Sequence, residues 1–558
     1  VAAILAGREV NGAEQISSFL SGGLSSLPHP GEMLGLERAT ARLLLAVERK
    51  EPVVVHGDYD VDGITATAML VDFLGRLGLP VRGHIPHRNQ DGYGLSVATL
   101  EKIAGERCRL VVTVDTGITS LAEAAWAAEH GIDLIITDHH QPRDIVPKAL
   151  AVVNPLQEGC SFPDKQLAGV GIAIYLLSSL RLALTASGER DDLPLPRDYF
   201  DLAALGTICD IVSLRGVNRV FVREGLRRLP ETTNVGLRTL LEMVGLAGTP
   251  IQPGHVGFVL GPRLNSAGRM DSAQACLDLF LTKDTGVATA ICRRLENWNQ
   301  ERQRKEQEIL EEAKRAIRTG GLDKDRVIVV AQKEWPIGII GIVASRIADE
   351  YHRPCVVISI QGSDRDKAGA GFLGRGSARA RGSGPSFPWH EVLAQASDLL
   401  ETFGGHRYAA GLTVKEKNIP AFRERLLALA DRMFSEQDLI PRHHYDVALP
   451  LKEFTPALWD ALSALSPFGH GNPEPVFLTE GVDVISREWI NGDGLRFVLQ
   501  SGGEIREAAW FPSRRDRHNP YREIQKGDVV DILHSYHRRH YRGRVYHSLS
   551  LRDIRKAS

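Results

Sequence analysis

Three aspartates at alternate positions, Asp58, Asp60 and Asp62, stand in the stretch His56-Gly57-Asp58-Tyr59-Asp60-Val61-Asp62-Gly63. Carboxylates this close repel one another, and a divalent cation with oxygen ligands is the usual way to neutralise them. More acids and histidines follow downstream: Asp115, the run Asp138-His139-His140, and Asp210. The first motif also matches the opening of an EF-hand loop. That loop needs a glutamate at its last position, where this chain has Met69, and a preceding helix, where it has the strand-like Val53-Val54-Val55. A calcium hand is therefore excluded. Many carboxylates with histidine suit Mn2+ or Mg2+ better than zinc, which favours Cys and His in four-ligand sites. More carboxylates than one ion needs point to two ions, an activated water and phosphoester hydrolysis.

The elements that must position these groups read as an α/β alternation. Apolar runs at 53–55, 81–85, 110–114, 134–136 and 151–153 are predicted strands, with helices at 64–78, 96–106 and 120–130 between them. Ser96 is the expected cap of the second helix and Gly131 the stop of the third. Short apolar strands separated by helices imply a parallel sheet covered on both faces. Asp58 to Asp62, Asp115 and Asp138 to His140 each follow a strand, and open α/β sheets bind ligands at the carboxyl ends of their strands. One crevice then collects them all. Residues 201–212 read as a helix with Asp210 near its end, and 261–269 as a polar loop carrying Arg263, Asn265 and Arg269.

Residues 286–318 form one long helical pattern, apolar at both ends and polar from 299 to 308. A helix polar all round bridges domains through solvent, and this one would span about 45–50 Å. A second α/β unit follows: strand 327–330, helix 339–351, strand 355–360, a basic glycine-rich stretch at 371–382 and a helix at 390–403. After residue 442 short alternating segments at 477–485, 495–500, 508–511, 528–534 and 544–551 suggest a small OB-like barrel. Its last hairpin interleaves Tyr536, Arg538, Arg539, Tyr541, Arg542, Arg544 and Tyr546, a pattern able to stack bases and contact phosphates. The expected architecture is α/β: two α/β domains joined by a long helix around a cleft, plus a C-terminal OB-like β-barrel. The expected divisions are a helical segment (1–50), a catalytic domain (51–285), the connecting helix (286–320), a substrate-binding domain (321–440) and the barrel (441–558).

Composition narrows the class. Hydrophobic residues make up 43% and charged residues 24%, as in ordinary globular proteins. With 67 basic and 69 acidic residues the net charge is −2, so nucleic acid must be bound by local patches. The six cysteines include no Cys-x-x-Cys pair, which argues against a zinc ribbon or disulfide framework and for a reducing cytoplasm. No apolar run approaches the roughly 18 residues of a membrane span. The opening residues lack the basic region of a signal peptide. No internal repeat stands out.

Asp138-His139-His140, with Gly57 to Gly63 before it and Gly404-Gly405-His406…Ala409-Ala410-Gly411 after it, resembles the DHH/DHHA1 phosphoesterases. Within that family the likeness is to the single-strand-specific 5′→3′ exonucleases, and it runs from about residue 50 to the C-terminus. Further matching stretches are 88–95, 115–117, 205–210, 260–269 and 376–379. Asp115-Thr116-Gly117 departs from the family's usual Asp-Asn-Gly, a small polar exchange expected to change little. The resemblance implies that Asp60, Asp62, Asp115, His139 and Asp210 are metal ligands for two Mn2+ or Mg2+ ions, Asp115 bridging, with His140 near the scissile phosphate. His56 and Asp58 are two further ligand candidates whose division of the first metal stays open. It implies that Ser377 and Arg379, with Arg88 across the cleft, hold a 5′ phosphate, and that Arg263, Asn265, Arg269 and His406 contact nearer phosphates. The implied partners are single-stranded DNA, a helicase and a single-strand-binding protein, in repair and recombination. Small DHH phosphodiesterases share the catalytic motifs but lack a barrel. Non-catalytic replication relatives have lost metal ligands that are all present here.

Overall fold

The computed structural model describes the chain apart from residues 88–93, 187–192, 363–371, 381–386, 441, 491–493, 512–520, 522, 542–543 and 558. It divides into two compact units, Val1–Asn299 with Ala461–Glu474, and Gln300–Asp460 with Pro475–Ser558.

The first unit opens with helices α1 (Ala2–Gly7), α2 (Ala13–Ser21) and α3 (Leu36–Arg49). The alternation follows: β1 (Val53–Gly57), α4 (Val61–Arg76), β2 (Val81–His84), α5 (Val97–Gly105), β3 (Leu110–Val114), α6 (Leu121–Glu129), β4 (Asp133–Thr137) and β5 (Ala151–Val153). The strands form one parallel sheet in the order β2-β1-β3-β4-β5. Side chains alternate faces along a strand, and both faces are apolar here. Val53 and Val55 enter a core with residues of α3 and α4, while Val54, Val111 and Ile136 enter another with Leu100, Ile103, Ala124 and Ala127 of α5 and α6. Ser96 caps α5, its Oγ accepting from Thr99 N–H at 3.2 Å.

The helical remainder comprises α7 (Gly169–Ala186), α8 (Phe200–Cys209), α9 (Gly216–Arg228), α10 (Val235–Met243), the turn α11 (Pro253–His255), α12 (Gly261–Met270) and α13 (Gln274–Leu281). Helix α7 is long and apolar enough to cross a membrane by length and composition, contrary to the expectation that no such stretch exists. It is instead a mostly buried core helix packed on α3, α4 and α8. Residues 261–270 are a helix, not the polar loop expected. Pro262 suits a first turn, and Leu264 and Ala267 bury one side.

Helix α14 (Thr285–Thr319) runs from the first unit into the second. Its polar middle is not solvated all round. Arg302 is nearly buried and Glu306 fully so, and Glu306 meets Arg302 Nη1 at 2.6 Å and Arg346 Nε at 2.5 Å.

The second unit holds β6 (Ile328–Lys333), α15 (Ile337–Tyr351), β7 (Cys355–Gln361), β8 (Leu373–Arg379), α16 (Trp389–Ala394), β9 (Leu400–Gly405), β10 (Ala409–Lys415) and α17 (Ile419–Met433). Its mixed sheet runs β6-β7-β8-β10-β9. The helix expected over 390–403 ends at Ala394. Leu400–Gly405 is an edge strand whose partner, β10, lies across a tight turn. The rest is β11 (Val447–Ala448), α18 (Pro456–Ser463), β12 (Phe477–Ile490), β13 (Gly494–Ser501), β14 (Glu504–Trp510), β15 (Val529–Tyr541) and β16 (Arg544–Lys556). Strands β12-β13-β14-β16-β15 close into a five-stranded barrel through the β12–β15 pairing.

Candidate metal centre

Register builds the site. Gly57, Val114 and Thr137 stand opposite one another in the parallel ladder, so the residues that follow them, Asp58, Asp115 and Asp138, begin the same edge of the sheet. Asp60 caps α4, its Oδ1 accepting from Asp62 N–H at 2.9 Å and Gly63 N–H at 3.1 Å. Gly63 must be glycine, because a Cβ there would lie 2.5 Å from Asp58 N. Asp210 arrives from elsewhere, as the cap of α8.

Three groups of potential ligand atoms result, each within 4.8 Å: Asp58, Asp60 and Asp115; Asp62, His139 and Asp210; Asp115, His139 and His140. Asp115 and His139 link them. His139 Nε2 stands 3.1 Å from Asp115 Oδ1 and 3.4 Å from Asp210 Oδ2. Asp115 holds a positive φ of 60°, a strained backbone for a non-glycine residue and of a kind that clusters at functional sites. Asp62 is fully buried; its two oxygens accept from Gly169 N–H at 2.7 Å and Val170 N–H at 2.9 Å, at the start of α7.

The site is short of positive charge. Burial, then Asp60, pushes the Asp58 carboxyl well above the usual range; burial, then Asp60, Asp62 and Asp210, does the same for Asp115. Burial and Asp60 raise Asp62 to about 7, and burial with Asp62 and Asp60 raises Asp210 to about 10. Among the described residues, Asp58 Oδ1, both Asp115 oxygens and Asp210 Oδ2 are buried and accept no hydrogen bond. Buried carboxylates held against each other without donors are what a pair of divalent cations resolves. The donors are oxygen and imidazole. The neighbouring Cys209 thiol is pushed up by burial and stays protonated, so a thiolate site is not offered. The residues therefore fit Mn2+ or Mg2+.

His140 is held differently. Its Nδ1 lies 2.7 Å from Asp138 Oδ1, and Asp138 Oδ2 accepts from Ile118 N–H at 2.9 Å. Burial alone would lower the His140 pKa, but Asp138, Asp60 and Asp58 raise it to about 9. The sequence places Asp138 in the crevice without a role of its own, and the fully buried Asn154, which donates to the His140 carbonyl at 2.8 Å, was missed as a site residue. Asn154 follows β5 directly, as the acids follow their strands, and the same strand-end rule could have found it. His56 enters none of the three ligand groups: its Nδ1 faces His84 Nδ1 at 3.0 Å and its Nε2 the Gly94 carbonyl at 3.3 Å.

The remaining candidates separate. Arg88 lies outside the described residues. On α12, residues 265 and 269 are four apart and share a face, which Arg263 does not. Arg263 instead pairs with Glu296 at 2.6 Å and donates to the Val259 carbonyl at 2.8 Å. Ser377 and Arg379 alternate on β8 and so point to one side. They converge on Gly341 of α15, where a Cβ would lie 2.8 Å from Arg379 Nη2 and 3.1 Å from Ser377 Oγ. His406 is exposed just after β9, its N–H donating to the Ala409 carbonyl at 2.8 Å. Tyr536 is not available to stack bases: it is 6% exposed and its hydroxyl donates to the Phe454 carbonyl at 3.0 Å. Its position points inward to the barrel core, a choice that hairpin composition does not reveal. Arg538 is already stacked 4.3 Å over Trp459, and the Tyr541 side chain lies outside the described residues. Tyr546, from the same hairpin, is exposed as expected, and Trp489 and Phe511 are further exposed aromatics of this region.

Three family models match the chain: the DHH family N-terminal domain over 52–207, the DHHA1 domain over 324–432 and the RecJ OB domain over 445–553. The single-stranded-DNA-specific exonuclease RecJ of Haemophilus influenzae is 33% identical over 500 residues, covering 88% of this chain and 85% of that protein. The chain belongs to the RecJ family. The RecJ of Bacillus subtilis is 37% identical over 481 residues, covering 86% of this chain and 58% of that one. The crystal structure of Thermus thermophilus RecJ in complex with Mn2+ superposes with a TM-score of 0.80 at 32% identity, covering 100% of this chain and 78% of that one. The same RecJ is also known in complex with Mg2+. By sequence, this chain spans 58% of the B. subtilis RecJ and 66% of the T. thermophilus one.

Proposed function

We propose that this chain is a metal-dependent exonuclease that degrades single-stranded DNA from its 5′ end to 5′-mononucleotides, in repair and recombination. The observation that carries the reading is the buried cluster of Asp58, Asp115 and Asp210 oxygens without donors, beside His139, at the carboxyl edge of a parallel sheet. Asp60, Asp62, Asp115, His139 and Asp210 would hold two ions, with Asp58 adding a ligand to the first. When bound, such ions lower the pKa of water and neutralise charge on a phosphoryl group. The chain's residues do the rest. Asp138, accepting from Nδ1–H, fixes the His140 ring and favours its doubly protonated form, whose Nε2–H would donate to a non-bridging phosphate oxygen. The start of α7 fixes Asp62. Ser377 and Arg379 would take the 5′ phosphate, because a guanidinium binds phosphate oxygens in pairs. Asn265 and Arg269 would contact following phosphates, and His406 is a further candidate contact, whereas Arg263 is held by Glu296. Exposed Trp489 and Tyr546 would stack bases of the incoming strand. The expected setting is the cytoplasm, where the six free thiols stay reduced. A helicase that opens duplex and a single-strand-binding protein are the expected partners.

The test uses 5′-phosphorylated single strands labelled at either end, with Mn2+. The 5′ label should leave first, as a mononucleotide; blunt duplex should resist; Asp115→Asn should lose at least about a thousandfold in rate, as expected when a shared catalytic ligand goes. Release from the 3′ end, or undiminished cleavage in EDTA, would overturn the reading.

A further inference from the structure

Segment Ala461–Glu474 belongs to the first unit although the chain on either side of it belongs to the second. It folds back on itself. Gly469 and Asn472 exchange backbone hydrogen bonds at 2.9 and 3.2 Å, and the fully buried Asn472 donates from Nδ2 to the Leu465 and Pro467 carbonyls, both at 2.8 Å.

This turn lies on residues 213–219, which begin three positions after Asp210. Leu214 N–H donates to the His470 carbonyl at 2.8 Å, and Arg215 Nε to the Gly471 carbonyl at 2.6 Å. The buried Arg219 guanidinium donates to the carbonyls of Ala464, Leu465 and Ser466 at 3.1, 3.0 and 2.8 Å, and to that of Phe19 at 2.9 Å. Arg8 adds a bond to the Pro473 carbonyl at 2.7 Å and another to Asn472 Oδ1. Burial, with Arg223 and Arg8 nearby, draws the Arg219 pKa down to about 10. A buried cation met by carbonyl dipoles is costly to desolvate and persists only where its geometry is complete. The fit is close: a Cβ on Gly471, where φ is +70°, would lie 2.2 Å from Ser213 Oγ.

The gripped stretch connects two candidate ligands. Asp210 caps α8, Ile211 follows at φ +61°, and α9 starts at Gly216. The first turn of α9 is tied to the approach to α7: Val217 N–H donates to Asp164 Oδ2 at 2.7 Å and Ala168 N–H to Asn218 Oδ1 at 3.2 Å. Gly169 and Val170, next in sequence, hold Asp62. Hydrogen bonds joined by short backbone runs therefore lead from the 465–473 turn to Asp62, and four residues of backbone tie Leu214 to Asp210.

We propose that residues 465–473 are a clasp that positions Asp210 through the 213–219 stretch and so sets the affinity of the acidic cluster for divalent metal, with Arg215, Arg219 and Asn472 as positioning residues. The proposal rests on the reading of Asp210 as a ligand. Changing residues that orient metal ligands costs about 10–100-fold in metal affinity.

The test measures Mn2+ binding to the full chain without DNA, by electron paramagnetic resonance of free Mn2+, with thermal unfolding in EDTA alongside. Gly471→Ala drives a methyl group into Ser213 and should weaken Mn2+ binding about tenfold. Ser213→Gly in the same chain removes the collision and should restore binding. Gly502→Ala carries the same backbone strain at φ +59° with nothing within 4 Å, and should bind Mn2+ as wild type does. Wild-type binding by Gly471→Ala, no recovery in the double variant, or an equal loss in Gly502→Ala each overturns the clasp. Asp210→Ala separates the two readings. If it too binds Mn2+ like wild type, the ligand assignment fails and the clasp with it; if it loses binding while Gly471→Ala does not, only the clasp fails.

Discussion

Gly169→Ala sets local helix preference against the packing of the centre. Gly169 opens α7, and alanine is favoured over glycine in helices by roughly 1 kcal/mol. A reading from propensity alone expects a small gain in stability. The tertiary structure expects the reverse, because a Cβ at 169 would lie 2.8 Å from Asp115 Cβ, 2.9 Å from its Oδ1 and 3.0 Å from its Cγ. Ordinary contacts between such atoms fall near 3.5–4.0 Å. Asp115 is 1% exposed and held at φ 60°, so it has little room to yield. Overpacking of this kind costs about 1–3 kcal/mol, and subtracting the helix gain leaves a net loss of roughly 0–2 kcal/mol. The functional effect is expected to be larger. Misplacing a reacting geometry by about 1 Å can cost about a hundredfold in rate, and Asp115 belongs to two of the three ligand groups. Thermal unfolding in EDTA should show a shift of at most a few degrees. Initial rates of nucleotide release against Mn2+ concentration should show a right-shifted curve and a plateau about a hundredfold lower. A more stable variant with the wild-type Mn2+ curve would refute the claim that Gly169 is kept small for Asp115.

Two further perturbations test the rest of the chain. His534 is fully buried, and Thr479 Oγ1, which donates to the Leu449 carbonyl, stands 2.9 Å from its Nε2. Burial lowers its pKa to about 3, whereas an unfolded histidine titrates near 6.5. The unfolded chain therefore binds the extra proton first, and stability present above about pH 6.5 should fall as pH drops towards 3, by up to about 1.4 kcal/mol per unit. Chemical denaturation of His534→Gln should show a shallower decline over that window; an unchanged slope would exclude His534 as its source. Glu306→Gln leaves Arg302 and Arg346 without their shared carboxylate and should cost about 3–5 kcal/mol in urea unfolding, as removal of one partner from a buried ion pair does. Glu308→Gln, whose pair with Arg304 is exposed, should cost less than about 1 kcal/mol; equal effects would place the Glu306 cluster in solvent.

The sequence by itself determined what is local. Five short apolar runs became the five parallel strands. The acids written directly after β1, β3 and β4 had to emerge on one edge, because parallel strands share a direction and each carboxylate lies next to its strand. Asp210 was legible as the end of a helix because the helical pattern of 201–212 is itself local. Spacing could not supply what distant partners decide. The polar middle of α14 is buried because Arg346, from another helix, brings a countercharge to Glu306. Leu400–Gly405 is a strand because β10 pairs with it, and residues 261–270 are a helix because their apolar side has a core to enter. Tyr536 faces inward because barrel closure gives it Phe454, not solvent, as its neighbour. Tertiary structure also brought residues 465–473 onto the turn beyond Asp210. Hydrogen bonds to backbone carbonyls carry that contact, and carbonyls are the same in every residue, so the letters of the sequence could not announce it.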